Sequence, residues 1–132
     1  MTQSDTAKIK VKAQVMAGAV IAIGPGKADL LDAVARTGSI AAAGRALGIS
    51  YRRTRDMIDI LNACWGEPVV ETAKGGSSGG GSHLTPRGRA VLDAFRALES
   101  ALQATTRAHA DALLDLLGPA AAAPGAAATT RD

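Results

Sequence analysis

Two serines in the middle of the chain constrain its fold more than any other feature. Ser39 precedes Ile40-Ala41-Ala42-Ala43, and Ser50 precedes Tyr51-Arg52-Arg53. A serine just before a helical run accepts a hydrogen bond from a free N–H of the first turn, so each marks a helix start. The first of these helices is short and ends at Leu47-Gly48, which leaves Gly48-Ile49-Ser50 as a tight connection to the second. Gly48 can take the left-handed conformation that stops a helix, and Ile49 can plug the core. Ala42 and Ala43 are small enough to let the following helix cross close by. Two short helices joined by so tight a turn form a helix-turn-helix.

The flanking segments complete a small domain. Lys8 to Val15 alternates lysine or glutamine with apolar residues, the period of a half-buried strand with its lysines in water. Met16-Ala17-Gly18 reads as a turn, Ala19–Ile23 as a second strand, and Gly24-Pro25-Gly26 as its end. A helix is expected over Lys27–Arg36, with Leu30, Leu31 and Val34 at helical spacing and Gly38 as its stop. The third helix runs over Tyr51–Ala63. Thr54, Met57, Ile58 and Leu61 share its inner face; Arg52, Arg55, Asp56 and Asp59 share the outer one, with Arg53 on the flank. Val69–Thr72 and His83–Thr85 read as a hairpin around a glycine- and serine-rich tip, Ala73 to Ser82. Thr85 and Pro86 then open a long helix, in which Val91, Phe95, Leu98 and Leu102 step close to a heptad seam.

The fold class expected is mainly α with a small β component. It is a winged helix-turn-helix with N-terminal strands and a long C-terminal dimerisation helix. Residues 1–7 and 118–132 are expected to be disordered, 8–85 to form the DNA-binding domain, and 86–117 the dimerisation helix.

Charge supplies the functional reading. The chain of 132 residues has a net charge of +3, a mild bias that matters only where it is clustered. From Arg45 to Arg55 there are four arginines and no acid, and three of them open the third helix. In a winged helix-turn-helix that helix enters the major groove of DNA, where arginine bonds guanine bidentately or holds phosphate. A solvated arginine face on an ordinary helix is the plain alternative; the position of the cluster favours DNA. Arg52, Arg53 and Arg55 are therefore the expected groove-reading residues. Ser39, Ser50, Tyr51 and Lys74 are the expected phosphate contacts, and Val91, Phe95, Leu98 and Leu102 the expected self-pairing residues. Aromatic residues make up 2% of the chain, too few for the stacking platforms of a single-strand binder.

Other chemistries find little support. The glycine run lacks the Gly-Lys-Ser/Thr that opens a helix in a phosphate loop. His83, His109 and Cys64 are too scattered for zinc, so neither metal nor cofactor is expected. Asp56 and Asp59 stand beside arginines on one helix, which suggests ion pairs rather than an acid/base pair, and no enzyme is expected. The lone Cys64 permits no internal disulfide, and no stretch suits a membrane span or a secretory signal, so a cytoplasmic location is expected.

Gly38-Ser39-Ile40-Ala41-Ala42-Ala43 to Gly48-Ile49-Ser50-Tyr51, followed by Trp65-Gly66-Glu67-Pro68-Val69-Val70-Glu71-Thr72-Ala73, resembles the N-terminal domain of the ModE molybdate-responsive regulators. The glycine-rich tip and Leu84-Thr85-Pro86-Arg87-Gly88 strengthen the likeness, and Ile23-Gly24-Pro25-Gly26-Lys27-Ala28 is similar to the start of stand-alone ModE-like proteins. The resemblance covers roughly residues 8–105 and extends to the broader LysR-type regulators. It implies duplex DNA binding through the third helix and the wing, homodimerisation through the long helix, and DNA-contact roles for Ser50, Tyr51, Arg52 and Arg55. ModE proper continues into molybdate-binding domains, where this chain has an alanine-rich segment. No oxyanion pocket is expected beyond generic helix ends, and control is expected to be either absent or exerted by a separate effector-sensing protein. A winged helix recruited for protein–protein docking, without specific DNA binding, is the alternative reading.

Overall fold

The computed structural model describes residues 7–73 and 81–118. In chain order the elements are β1 (Val15–Ala17), β2 (Val20–Ile23), α1 (Pro25–Thr37), α2 (Ile40–Leu47), α3 (Tyr51–Cys64), β3 (Val70–Ala73), β4 (Gly81–Leu84) and α4 (Pro86–Asp115). This is a winged helix-turn-helix in which β3 and β4 form the wing. The chain divides into two compact units. One is Lys12–Ser100; the other combines Met1–Val11 with Ala101–Asp132. In the second unit the described residues are 7–11, without regular structure, and the C-terminal half of α4 with the residues that follow it. The tails expected to be disordered lie outside the described residues, apart from Ala7 and Gly118.

The first unit is built around α1. Leu30, Leu31 and Val34 are fully buried, and they meet Ile23, Ile40, Ile58, Leu61, Val69, Leu92 and Phe95 in one core. Each such side chain contributes about 1.5–3 kcal/mol on burial. Helix α1 starts two residues earlier than its apolar spacing indicated, because Pro25 suits the first helical position. Gly38 ends it in the left-handed conformation, φ 75°, with its N–H bonded to the Val34 carbonyl at 2.8 Å.

The N-terminal strand is shorter than its alternation suggested. Only Val15 of the Lys8–Val15 segment is in β1, which continues through Met16 and Ala17; the turn is Gly18-Ala19, with Gly18 at φ 64°. The reason is the partner. Pairing runs from Ala17↔Val20 to Val15↔Ile23, and Gly24 and the helix-starting Pro25 leave no strand beyond it. Alternation describes an extended chain, but a strand needs a ladder.

Helix α4 is locked onto the core at its start and along its inner face. Thr85 Oγ1 accepts from the Gly88 N–H at 2.9 Å and donates to the Pro68 carbonyl at 2.7 Å. A Cβ at Gly88 would collide with the Val69 backbone, so glycine is required for this approach. Further along, the Arg96 guanidinium reaches Asp29 at 2.9 Å, Asp32 at 2.5 Å and Glu99 at 2.9 Å, tying α4 to α1. Burial works against its charge, but the hydrogen bonds with Asp32, Glu99 and Asp29 outweigh this and strengthen its hold on the proton.

With these contacts the compact unit runs past Thr85 to Ser100 and takes in the first half of α4. Of the residues expected to pair with a second copy, two face inward and two lie nearer the surface. Val91 and Phe95 are buried in the chain's own core beside Leu92, at 9%, 3% and 1% exposure. Leu98 is exposed and Leu102 half-buried. A heptad seam and a core-facing stripe share the same spacing, so periodicity alone does not separate them.

Candidate nucleic-acid interface

The helix-turn-helix owes its geometry to backbone detail at both serines and both glycines of the motif. Ser39 Oγ accepts from the Ala42 N–H at 3.0 Å, and Ser50 Oγ from the Arg53 N–H at 3.1 Å. Both hydroxyls therefore cap helices, and each keeps its own proton to offer outward. Gly48 is left-handed at φ 73°, and the Ile49 N–H closes the turn on the Gly44 carbonyl at 3.0 Å. Ile49 itself is half-buried; Leu47 is the turn-side residue packed against the core.

Close crossing of α2 and α3 rests on a residue that the alanine argument overlooked. A Cβ on buried Gly44 would overlap Thr54 Oγ1. Thr54 is fully buried, and its hydroxyl is satisfied by the Ser50 carbonyl at 2.7 Å. Thr54, Ile58 and Leu61 form the buried face of α3 as the helical wheel indicated, with Met57 half-buried beside them.

The outer face of α3 presents its charge unevenly. Arg52 and Arg53 are exposed and, among the described residues, make no ion pair. Arg55 is half-buried and lies 3.8 Å from Asp59, a pair too exposed to contribute much. Tyr51 is 59% exposed at the helix start. Arg45, on the last turn of α2, is exposed as well.

The wing is held against this face. Asn62 of α3 accepts from the Val69 and Val70 N–H groups at 2.8 and 3.0 Å and donates to the Val70 carbonyl at 3.2 Å. The Ser82 N–H bonds to the Gly38 carbonyl at 2.8 Å, which brings β4 to the loop before α2. Between them opens a cavity of about 400 Å³ lined by Ser39, Tyr51, Arg55, Thr72, Gly81 and Ser82, among others. Three of the residues expected to contact DNA thus share one concave surface with the wing. Arg53 does not join them; it lines a separate cavity beside the start of α1. Lys74 lies outside the described residues. His83 is exposed on β4 opposite Glu71, with 3.7 Å between Nε2 and Oε1.

Asn62, Gly44 and Ser82 were not singled out from the sequence. Their roles depend on backbone groups brought up by other segments, and no local pattern announces such a meeting. Trp65 is a further case. Its indole N–H bonds to the Ala22 carbonyl at 3.2 Å and fastens β2 to the end of α3. Among the described residues, no helix is long and apolar enough to cross a membrane, and no group of three or more His, Cys, Asp or Glu side chains is placed to hold a metal.

Residues 27–89 match the family described as bacterial regulatory helix-turn-helix protein, lysR family. The chain is 41% identical over 80 residues to the molybdenum-pterin-binding protein MopA of Rhodobacter capsulatus, an alignment covering 61% of this chain and 30% of that one. It is 37% identical over 89 residues to the molybdenum transport protein ModE of Azotobacter vinelandii, covering 67% and 33%. The chain therefore spans about a third of the length of these relatives. Among solved structures it is similar to the DNA-binding domain of CbnR in a crystal structure of its DNA complex. The TM-score is 0.52 and the identity 32%, over 66% of this chain and 95% of that chain.

Proposed function

Residues 27–89 belong to the LysR family of bacterial regulatory helix-turn-helix proteins, and from that we propose that this chain is a sequence-specific duplex DNA-binding transcription regulator. It acts as a cytoplasmic homodimer, in a role linked to molybdenum transport or metabolism, and has no catalytic activity. The observation that carries the reading is the start of α3, where Arg52 and Arg53 are exposed and without an ion pair among the described residues, while Tyr51 and Arg55 of the same helix line a concavity shared with the wing.

In this reading α3 lies in the major groove. Arg52 is the base reader, since Arg55 leans on Asp59 and Arg53 turns toward α1. Ser39 and Tyr51 hold phosphate at the concavity, and Ser50 and Lys74 are further phosphate contacts. Dimerisation uses the first half of α4. There an apolar groove of about 340 Å³, lined by Val15, Trp65, Val91, Ala94, Phe95 and Leu98 among others, offers a surface to a second copy. The two recognition helices would then stand about 34 Å apart, or a multiple of that, along the duplex.

The test is selection from a random duplex pool at two salt concentrations, with and without molybdate. A palindromic site whose affinity falls steeply with salt is the expected result. Absence of both enrichment and salt-dependent binding would refute the reading and favour a protein-docking module.

A further inference from the structure

The N-terminal end of α1 borders a cavity of about 240 Å³ in which three segments converge. The chain before β1 supplies Lys12 and Gln14, the first turn of α1 supplies Gly26 and Lys27, and α3 supplies Arg53. The chargeable side chains lining it are all cations, with no carboxylate among them. None of the three makes an ion pair among the described residues, whereas Arg55, Arg87, Arg89 and Arg96 each have a carboxylate.

The backbone adds to this imbalance. Helix α1 begins at Gly24 without a side-chain cap and has no acid in its first turn. The Gly26 and Lys27 N–H groups belong to the set that finds no partner inside a helix, and the helix dipole is positive at that end. Burial holds the Lys27 ammonium below the ordinary lysine range, and the Arg53 charge lowers it further, against an opposing effect of Cys64. Like charges gathered around a partly desolvated space favour an anion inside it.

We propose that this cavity binds a tetrahedral oxyanion of the phosphate class, gripped by Lys12, Lys27 and Arg53 together with the amides of Gly26 and Lys27. The site is invisible to a segment-by-segment reading, which places Lys12 on the wet face of a strand and Lys27 at an ordinary helix start. It also straddles the edge of the regulatory helix-turn-helix match, which begins at residue 27, so Lys12 comes from outside it. The oxyanion has two sources, a backbone phosphate of bound duplex or a free ion in solution. The first rests on α3 being the recognition helix; the second does not.

Two readouts on the full chain separate these sources. Inorganic phosphate is titrated against chloride at matched ionic strength, following the Gly26 and Lys27 amide resonances and the unfolding temperature. Duplex affinity is then measured against salt for the native chain, Lys12→Gln and Lys27→Gln. Saturable shifts at both amides, weakened at least tenfold in the Lys12→Gln, Lys27→Gln double variant, establish the free-ion source. No phosphate response, but a salt slope lowered by about one for each lysine removed and evenly across sequences, establishes the backbone source. Neither response overturns the proposal. If the native chain binds no DNA, the recognition-helix reading fails by itself, and the phosphate titration alone decides the cavity.

Discussion

Replacing Asn62 with alanine should cost more than any other single polar truncation at the wing, because one side chain there satisfies three backbone groups. It accepts from the Val69 and Val70 amides at 2.8 and 3.0 Å and donates to the Val70 carbonyl at 3.2 Å. Val69 and Val70 are buried, at 0% and 4% exposure, so their amides have little access to water as a substitute. A buried group left unsatisfied costs about 1–3 kcal/mol, and an ordinary bond contributes about 0.5–1.5 kcal/mol net. Asn62 is itself only partly buried, so some water can enter the gap. The loss for Asn62→Ala is then about 2–4 kcal/mol, a large share of the roughly 5–15 kcal/mol that holds a domain together. Urea unfolding measures it directly, and the melting temperature should fall by about 4–8 °C for each kcal/mol. A loss for Asn62→Ala below about 0.5 kcal/mol, the range of an ordinary surface change, would refute the reasoning.

Four further outcomes are expected. Arg52→Ala should weaken specific DNA binding by about 1–3 kcal/mol and relax one base position; an even loss across all sequences in a competition assay would instead make Arg52 a phosphate contact. Gly44→Ala should destabilise the chain by about 1–3 kcal/mol through overlap with Thr54 Oγ1. Adding Thr54→Ala should recover part of that loss, and strict additivity in the double-mutant cycle would show that the two sites do not touch. Leu98→Asp should yield a monomer in sedimentation, with specific affinity largely lost; a dimer of unchanged strength would remove the α4 groove from the interface. The lowered Lys27 ammonium fixes the sign of a pH effect. Between its folded value and the ordinary lysine value of about 10.4, the unfolded chain binds the extra proton, so stability rises with pH in that window. Lys12, Arg53 and Cys64 surround the group. Subtracting the unfolding curve of Lys27→Met isolates its contribution, and parallel curves would contradict it.

Much of the framework was legible in the linear chain, for local reasons. Ser39, Ser50 and Thr85 cap the helices they precede, and Gly38 and Gly48 stop helices by going left-handed. Such effects act over four or five residues and leave a direct mark on residue choice. The buried face of α3 followed from its 3.6-residue period, and the arginine cluster at its start needed only its order along the chain.

What the chain could not declare is which surfaces meet. The spacing of Val91, Phe95, Leu98 and Leu102 is the same for a seam between two copies and for a stripe on one core, and packing against Leu30, Leu31 and Val34 places the first two in the core. The alternation of Lys8 to Val15 was real, yet β2 offers a ladder only from Val15 onward. Asn62 and Gly44 matter because of backbone and side-chain atoms from another helix or strand, and Lys12, Lys27 and Arg53 become one cluster only when three segments converge. Local sequence determined where the helices begin and end, because caps, turns and periodicity are short-range. Partnership between elements was left to the tertiary structure, because steric fit and charge summation depend on distances through space that sequence separation does not encode.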